Sequence, residues 1–133
     1  MKYMLDTNIC IYLIKQKPAV VLERFKQTDI SEISISSITL SELFYGVSKS
    51  SKPAQNLMAL TQFAAPLEIM PFAGEAAQCY GDLRAHLEIQ GTPIGSLDML
   101  IAAHAISLSI TLVTNNEKEF NRVPNLKIEN WVS

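Results

Sequence analysis

The sequence predicts a three-layer α/β sandwich, in which a short, mostly parallel β-sheet is flanked by helices on both faces. Short apolar runs that end abruptly in polar residues alternate with longer helical segments. This alternation implies crossover connections, and crossovers imply parallel strands. No repeat, low-complexity tract or Gly/Ser-rich linker divides the 133 residues, so we expect one domain that spans residues 1–133.

Composition excludes several classes of protein. Apolar residues make up 48% of the chain and charged residues 18%, which argues against general disorder. Thirteen acidic and eleven basic residues give a formal charge of −2, so any contact with nucleic-acid phosphates must be local. We see no cationic leader or membrane-spanning run, and Cys10 and Cys79 form no redox or zinc pattern. We therefore expect a cytoplasmic protein without a membrane anchor.

The strands are predicted from short apolar or alternating runs. The first run stops at Asp6, and Ile33–Ser36 alternates with the period of two that is typical of a strand. A last edge strand is expected in the C-terminal tail. The predicted strands are Tyr3–Leu5, Ile33–Ser36, Leu67–Met70, Ile110–Val113 and Leu126–Glu129.

The helices are predicted from their capping residues and their apolar periodicity. Thr7 or Asn8 can cap the first helix. Ser37 or Thr39 can cap the third, and Pro53 opens the fourth. The predicted helices cover residues 9–14, 19–27, 38–49, 53–63, 74–90 and 97–107, with a short helical turn at 117–120.

Two carboxylates stand out in the first half of the chain. Asp6 ends an apolar strand, at the sheet edge where parallel α/β sheets bind ligands, although capping of the first helix also explains it. Glu42 lies on the helix face opposite a predicted buried stripe. A position in a cleft and a solvated pair with Lys49 explain this about equally well. The predicted buried stripe consists of Leu40, Leu43, Phe44 and Val47.

Two further acidic positions occur in the second half. Asp98 lies in the first turn of a helix that is otherwise apolar all round. Capping alone could explain it, but the preceding segment, residues 91–96, is an unusually constrained approach to a single cap. A polar cluster follows the strand that ends at Val113, and a solvated turn would also explain it. Within it, Glu117 and Glu119 point to different sides, so at most one enters a site. The cluster is Asn115, Asn116, Glu117 and Glu119.

Converging carboxylates favour a divalent cation. Without basic partners they repel one another and their pKa values rise, a cost that a cation removes. Oxygen ligands of this type select Mg²⁺ or Mn²⁺ over zinc. Neither His86 nor His104 has metal-ligand spacing, and His104 is expected to be a core histidine. The sequence carries no glycine-rich phosphate loop.

Four segments form a recognisable series. They are Met4–Asn8 (MLDTN), Ser37–Gly46 (SITLSELFYG), Gly91–Asp98 (GTPIGSLD) and Leu112–Phe120 (LVTNNEKEF). In this order and at these spacings they resemble the motifs of PIN-domain ribonucleases, and among these the VapC toxins of bacterial toxin–antitoxin systems. The resemblance covers the whole chain.

The resemblance implies roles for individual residues. Asp6 and Asp98 would be the principal ligands of Mg²⁺, for which Mn²⁺ can substitute, and Glu42 would complete the acidic cluster. Many relatives carry Asp near the position of Asn116, and Glu119 is the best substitute for it here. The supporting residues would be Asn8, Ser96, Thr114 and Asn116.

The implied activity is hydrolysis of RNA phosphodiester bonds, with a tRNA cut in its anticodon stem-loop as the expected substrate. A VapB-type antitoxin and a second copy of the chain, forming a homodimer, are the expected partners. A PIN scaffold that binds RNA or protein without catalysis remains the alternative. Solvated surface charge explains most of the basic side chains near the motifs, but some could contact phosphates. These are Lys15, Lys17, Arg24, Lys49 and Lys52.

Overall fold

A computed structural model describes residues 1–133 and contains five strands and seven helices. The strands are β1 (Tyr3–Leu5), β2 (Ile33–Ser36), β3 (Glu68–Met70), β4 (Thr111–Val113) and β5 (Ile128–Glu129). The helices are α1 (Thr7–Lys15), α2 (Ala19–Gln27), α3 (Ser37–Ser48), α4 (Pro53–Ala64), α5 (Gly74–Gln90), α6 (Ser96–Leu108) and α7 (Glu117–Phe120). A 3-10 turn, Ile30–Glu32, leads into β2.

The sheet has the strand order β3-β2-β1-β4-β5, and every neighbouring pair is parallel. Successive side chains of β1 point to opposite faces of the sheet and so contribute to the two halves of the core. Tyr3 and Leu5 pack against the layer formed by α1 to α4, whereas Met4 packs against α5 and α6. The predicted three-layer α/β fold is therefore confirmed, and the sheet is wholly parallel. None of the helices combines the length and the apolar character needed to cross a bilayer.

The predicted elements occur in the predicted order. The caps named for α1 and α3, Thr7 or Asn8 and Ser37 or Thr39, were wrong, whereas the alternative in which Asp6 caps α1 is confirmed. Asp6 caps α1 and Ser36 caps α3, each from an extended backbone, because Thr7 and Ser37 are already helical. One side chain of α3 was also assigned to the wrong face. The buried stripe of α3 is centred on Leu43, and Phe44, one residue further round the helix, is 46% exposed.

The parallel topology brings the carboxyl ends of β1, β2 and β4 to one edge of the sheet. The ladder continues one residue past each of two strands. Asp6 N donates to Val113 O at 2.9 Å, and Thr114 N donates to Glu129 O at 3.0 Å. The residues that follow β1 and β4 are therefore neighbours, although more than 100 positions separate them in the sequence.

Candidate active site

Asp6 lies at the centre of this sheet edge and is only 4% exposed. Its Oδ1 accepts a hydrogen bond from Thr7 N at 2.7 Å, and its Oδ2 accepts one from Thr114 Oγ1 at 2.8 Å. Burial raises the pKa of Asp6, the two threonine hydrogen bonds oppose that rise, and the charges of Glu42 and Glu119 add to it. Asp6 is thus both the cap of α1 and a buried acid close to other acids.

Glu42 reaches the same site from α3. Its Oε1 accepts a hydrogen bond from Thr7 Oγ1 at 2.7 Å, so one threonine contacts two of the predicted acids. Glu42 forms no ion pair with Lys49, whose ammonium lies 4.9 Å from the centre of the Tyr45 ring. The cleft position is therefore the one that the side chain adopts.

Asp98 and Glu119 meet beside Gly95. The backbone N–H of Gly95 donates to Glu119 Oε1 at 2.7 Å. A Cβ at Gly95 would lie 3.4 Å from Asp98 Oδ2 and 3.5 Å from Glu119 Oε1, which shows how closely both carboxyls approach this loop. Burial, and next the charge of Asp6, raise the pKa of Asp98 to about 7, and a hydrogen bond with Glu119 contributes. The Gly95 N–H, above all, lowers the pKa of Glu119.

Thr114 and Asn116 link the two halves of the site. The hydroxyl of Thr114, which is fully buried, donates to Asp6 and accepts from Asn116 N at 3.0 Å. The side-chain amide of Asn116 in turn donates to Glu119 Oε2 at 2.9 Å. A continuous chain of hydrogen bonds therefore runs from Asp6 to Glu119.

Three other acidic or polar candidates lie outside this network. Asn8 and Ser96 are exposed, and neither forms a side-chain hydrogen bond. Glu117 is exposed on α7 and does not take part in the hydrogen bonds that Glu119 forms with Gly95 and Asn116. Of the predicted site residues, the structure brings together Asp6, Glu42, Asp98, Thr114, Asn116 and Glu119.

Two residues of the network were not predicted as part of it. Thr7 was considered only as a helix cap, yet it contacts both Asp6 and Glu42. Gly95 was noted only within the segment that leads into α6, yet its backbone N–H donates to Glu119. The position of Thr7 directly after Asp6 was a usable signal, whereas the contact between Gly95 and Glu119 spans 24 residues and has no local signature.

The buried histidine belongs to the core. His104 is 1% exposed, and its Nδ1 lies 2.8 Å from Ser36 Oγ, which also accepts from Ile38 N. The ring packs edge-on against Phe72 at 5.4 Å. Burial lowers the pKa of His104, which favours the uncharged ring, and the contact with Ser36 ties the ring to the end of β2.

The donor set fits a hard divalent cation. All four acids offer carboxylate oxygens, and none of them forms a salt bridge with a lysine or arginine. The charges of neighbouring carboxylates add to the rise in the pKa values of Asp6 and Asp98, and a cation would remove that cost. No three acidic, histidine or cysteine side chains are already arranged as a metal cage, so binding would require the carboxyls to draw closer together.

The fold and the acidic edge agree with the comparison to protein-family models. The model that describes the PIN domain matches residues 3–126. The chain therefore belongs to the PIN-domain family.

Similar proteins narrow this assignment to one group within the family. "Ribonuclease VapC2" of Rickettsia felis is 51% identical over 132 residues, and "tRNA(fMet)-specific endonuclease VapC" of Salmonella typhimurium is 47% identical over 131 residues. Each alignment covers 98% of both chains. The chain is a member of the VapC ribonucleases, as the four motifs indicated.

Solved structures give the same result. A chain from DNA-bound VapBC of Salmonella typhimurium superposes with a TM-score of 0.94 at 46% identity, covering 98% of both chains. A chain from VapBC2 of Rickettsia felis, bound to a DNA fragment from its promoter, superposes with a TM-score of 0.91 at 49% identity, covering 98% of this chain and 99% of that one.

Proposed function

We propose that this ribonuclease is an Mg²⁺-dependent endonuclease that hydrolyses a tRNA within its anticodon stem-loop, and that it acts as the toxin of a toxin–antitoxin pair. The observation that carries the proposal is the convergence of four carboxyls from separate segments at one sheet edge, none of them in a salt bridge with a basic side chain. Such a cluster is costly for the fold unless it binds a cation.

Asp6 and Asp98 are the proposed principal metal ligands, with Glu42 and Glu119 completing the cluster. Asp98 receives no hydrogen bond from a backbone or neutral side-chain donor, which leaves its oxygens available. Glu119 takes the place of the Asp that the family pattern puts near Asn116, because the amide of Asn116 supplies no charge but does hold Glu119. Mn²⁺ can replace Mg²⁺, since both prefer oxygen ligands.

The hydrogen bonds to this cluster orient it for catalysis. Thr7 and Thr114 fix both oxygens of Asp6, and each oxygen keeps a second lone pair free. Thr7 also donates to Glu42, so one residue contacts both acids. When bound, Mg²⁺ would lower the pKa of a water and neutralise charge on the phosphate. Attack of that water on phosphorus with cleavage of the P–O3′ bond would give the 3′-hydroxyl and 5′-phosphate that the family resemblance implies.

The proposed substrate is initiator tRNA. Support comes from the Salmonella typhimurium relative, whose name describes a tRNA(fMet)-specific endonuclease and which is 47% identical over nearly the whole chain. The net charge of −2 does not attract RNA over the whole surface, so recognition has to depend on local contacts.

We also propose a VapB-type antitoxin as partner, since the similar structures are VapBC complexes. A homodimer is proposed through α4 and α5, whose exposed apolar side chains include Leu57, Met58 and Ile89. A cytoplasmic location is consistent with two free cysteines, Cys10 and Cys79, that form no disulfide.

The test is cleavage of initiator tRNA and of total tRNA by the purified, antitoxin-free chain. We expect discrete fragments with Mg²⁺ or Mn²⁺, none with EDTA, and none from an Asp6→Ala variant. Glu42→Gln should reduce the cleavage rate by about 100-fold or more while RNA binding persists, because only the charge is removed. Glu117→Gln, which removes an exposed acid from the neighbouring turn, is the matched control and should cleave normally.

Two results would contradict the proposal. If the folded protein binds RNA but cleaves none of several RNA classes with either metal, the non-catalytic PIN scaffold becomes the better explanation. If cleavage survives both EDTA and Asp6→Ala, the activity belongs to a contaminant.

A further inference from the structure

Residues 93–95, which lead into α6, form two hydrogen bonds with parts of the chain outside that helix. Both come from α7 and the turn that follows it. Gly95 N donates to Glu119 Oε1 at 2.7 Å, and Pro93 O accepts from Arg122 Nη1 at 3.0 Å. An anionic side chain therefore meets an N–H of this segment, and a cationic side chain meets its carbonyl.

The turn that carries Arg122 is anchored in the core. Phe120 and Val123, on either side of it, are buried and belong to the same half of the core as Ile94. Arg122 N donates to Glu119 O at 3.1 Å, so the backbone fixes the spacing of the two charged residues. Hydrogen bonds with one ionised partner are about twice as strong as neutral ones. The two contacts can therefore hold residues 93–95 although the guanidinium is exposed.

The position of this segment decides where two of the acids lie. Gly95 precedes the first turn of α6, which contains Asp98, and the carboxyls of Asp98 and Glu119 both approach Gly95 closely. Since like charges repel, these carboxyls need to be held together while no cation is bound. One hydrogen bond at Gly95 would fix a distance but leave the segment free to pivot. The second bond, at Pro93, removes that freedom.

We infer that Arg122 is a positioning residue of the acidic site, which holds residues 93–95 against α7 and so keeps Asp98 and Glu119 together. The inference rests on the proposed function, because Asp98 and Glu119 are metal ligands only in that proposal. Arg122 forms no salt bridge with any acid, so it acts on them through the backbone carbonyl of Pro93. Residues that orient metal ligands typically contribute about 10–100-fold to metal affinity.

The experiment compares two variants that lose the same charge. Arg122→Met removes the hydrogen bond to Pro93, whereas Lys118→Met removes an exposed cation four residues earlier that takes no part in either bond. The Gly95 N–H, and to a smaller extent the charge of Arg122, lower the pKa of Glu119, so this charge does act on the site. Loss of positive charge by itself favours a cation, so weaker metal binding would come from position and not from charge.

Metal affinity is the first measurement. Mn²⁺ is titrated into the metal-free, antitoxin-free chain, and the free ion is measured by electron paramagnetic resonance. Arg122→Met should bind Mn²⁺ about tenfold more weakly, whereas Lys118→Met should bind it no more weakly than the unmodified chain. Arg122→Lys keeps the charge and can donate to the same carbonyl, so it should recover most of the affinity. Thermal melting verifies that each variant is folded.

Hydrogen exchange gives a second measurement that needs no metal. The amide of Gly95, followed by NMR in the metal-free chain, should exchange about tenfold faster in Arg122→Met than in the unmodified chain. The same amide should be unaffected in Lys118→Met, because both hydrogen bonds of the segment remain. A variant that is merely less stable would instead speed exchange throughout the core.

Three results would overturn the inference. Unchanged Mn²⁺ affinity and unchanged Gly95 exchange in Arg122→Met would show that this side chain does not order the site. Equal effects of Arg122→Met and Lys118→Met would show that only charge matters. If Arg122→Met binds a labelled anticodon stem-loop more weakly in EDTA, with Gly95 exchange unchanged, then Arg122 contacts a phosphate instead.

The unmodified chain tests the proposed function separately. If it binds Mn²⁺ and cleaves RNA, and Arg122→Met matches it in Mn²⁺ affinity and Gly95 exchange, only the assignment of Arg122 fails. If it neither binds Mn²⁺ nor cleaves RNA, while Gly95 still exchanges faster in Arg122→Met, the proposed function fails and the positioning by Arg122 stands.

Discussion

Replacement of Thr114 by valine tests whether the buried hydroxyl holds Asp6 in its ionised form. Valine keeps the shape of threonine and removes the donor that lies 2.8 Å from Asp6 Oδ2. Thr114 is fully buried, so water cannot replace the lost bond. A hydrogen bond to a charged group contributes about 1.5–3 kcal/mol, and a neutral one about 0.5–1.5 kcal/mol. We therefore expect the free energy of unfolding to fall by about 1.5–3 kcal/mol at pH 8.

The size of this loss should depend on pH. The Thr114 hydroxyl lowers the pKa of Asp6, so its removal penalises the ionised carboxylate more than the protonated acid. The difference between Thr114→Val and the unmodified chain should accordingly shrink as Asp6 becomes protonated at acidic pH. Urea unfolding in EDTA at pH 5 and pH 8 measures it, provided that the denaturant slope is unchanged.

Thr114→Ser is the matched control because it retains the hydroxyl. We expect the serine variant to keep the pH dependence of the unmodified chain and to cleave RNA faster than the valine variant in single-turnover assays. If the valine variant loses the same stability at pH 5 as at pH 8, the Thr114 hydroxyl does not act through the charge of Asp6. The reasoning about Asp6 would then be refuted.

Two further predictions concern the stability of the fold. Burial and the charge of Asp6 raise the pKa of Asp98 to about 7, so the folded chain binds this proton more tightly than the unfolded chain does. In EDTA the free energy of unfolding should therefore fall as the pH rises from about 4 through about 7. Mg²⁺ should raise the melting temperature more at pH 8 than at pH 5. An equal effect of Mg²⁺ at both pH values would contradict this prediction. The second prediction concerns Trp131, which is 1% exposed, packs against Tyr3 and donates to Glu129 at 2.9 Å. Trp131→Ala should lower the free energy of unfolding, measured with urea, by about 3–5 kcal/mol, and Trp131→Phe should lower it clearly less. Equal stability of the alanine variant and the unmodified chain would show that the C-terminal segment does not anchor the sheet.

The order and type of the helices and strands could be predicted from the sequence because the signals are local. Apolar runs that stop at polar residues mark the strands, and Pro53 marks the start of α4 at the position where the structure has it. The exact capping residues were harder to predict from the sequence. Asp6 and Thr7 are adjacent residues of similar capping ability, and so are Ser36 and Ser37. The local sequence could not decide which of them takes the extended backbone.

The sequence by itself also indicated that Asp6, Glu42 and Asp98 are unusual carboxyls, because each stands at the end of an apolar element or within one, where a charge is costly. Glu119 lies in a polar cluster, and only the family resemblance selected it. What only the tertiary structure decided is how these side chains contact one another. Thr7 joins Asp6 to Glu42, and the Gly95 N–H holds Glu119, across 35 and 24 residues respectively. These contacts depend on the order β2-β1-β4 within the sheet, which sets elements distant in the chain side by side. Periodicity carries no information about strand order, and for that physical reason the geometry of the site had to come from the fold.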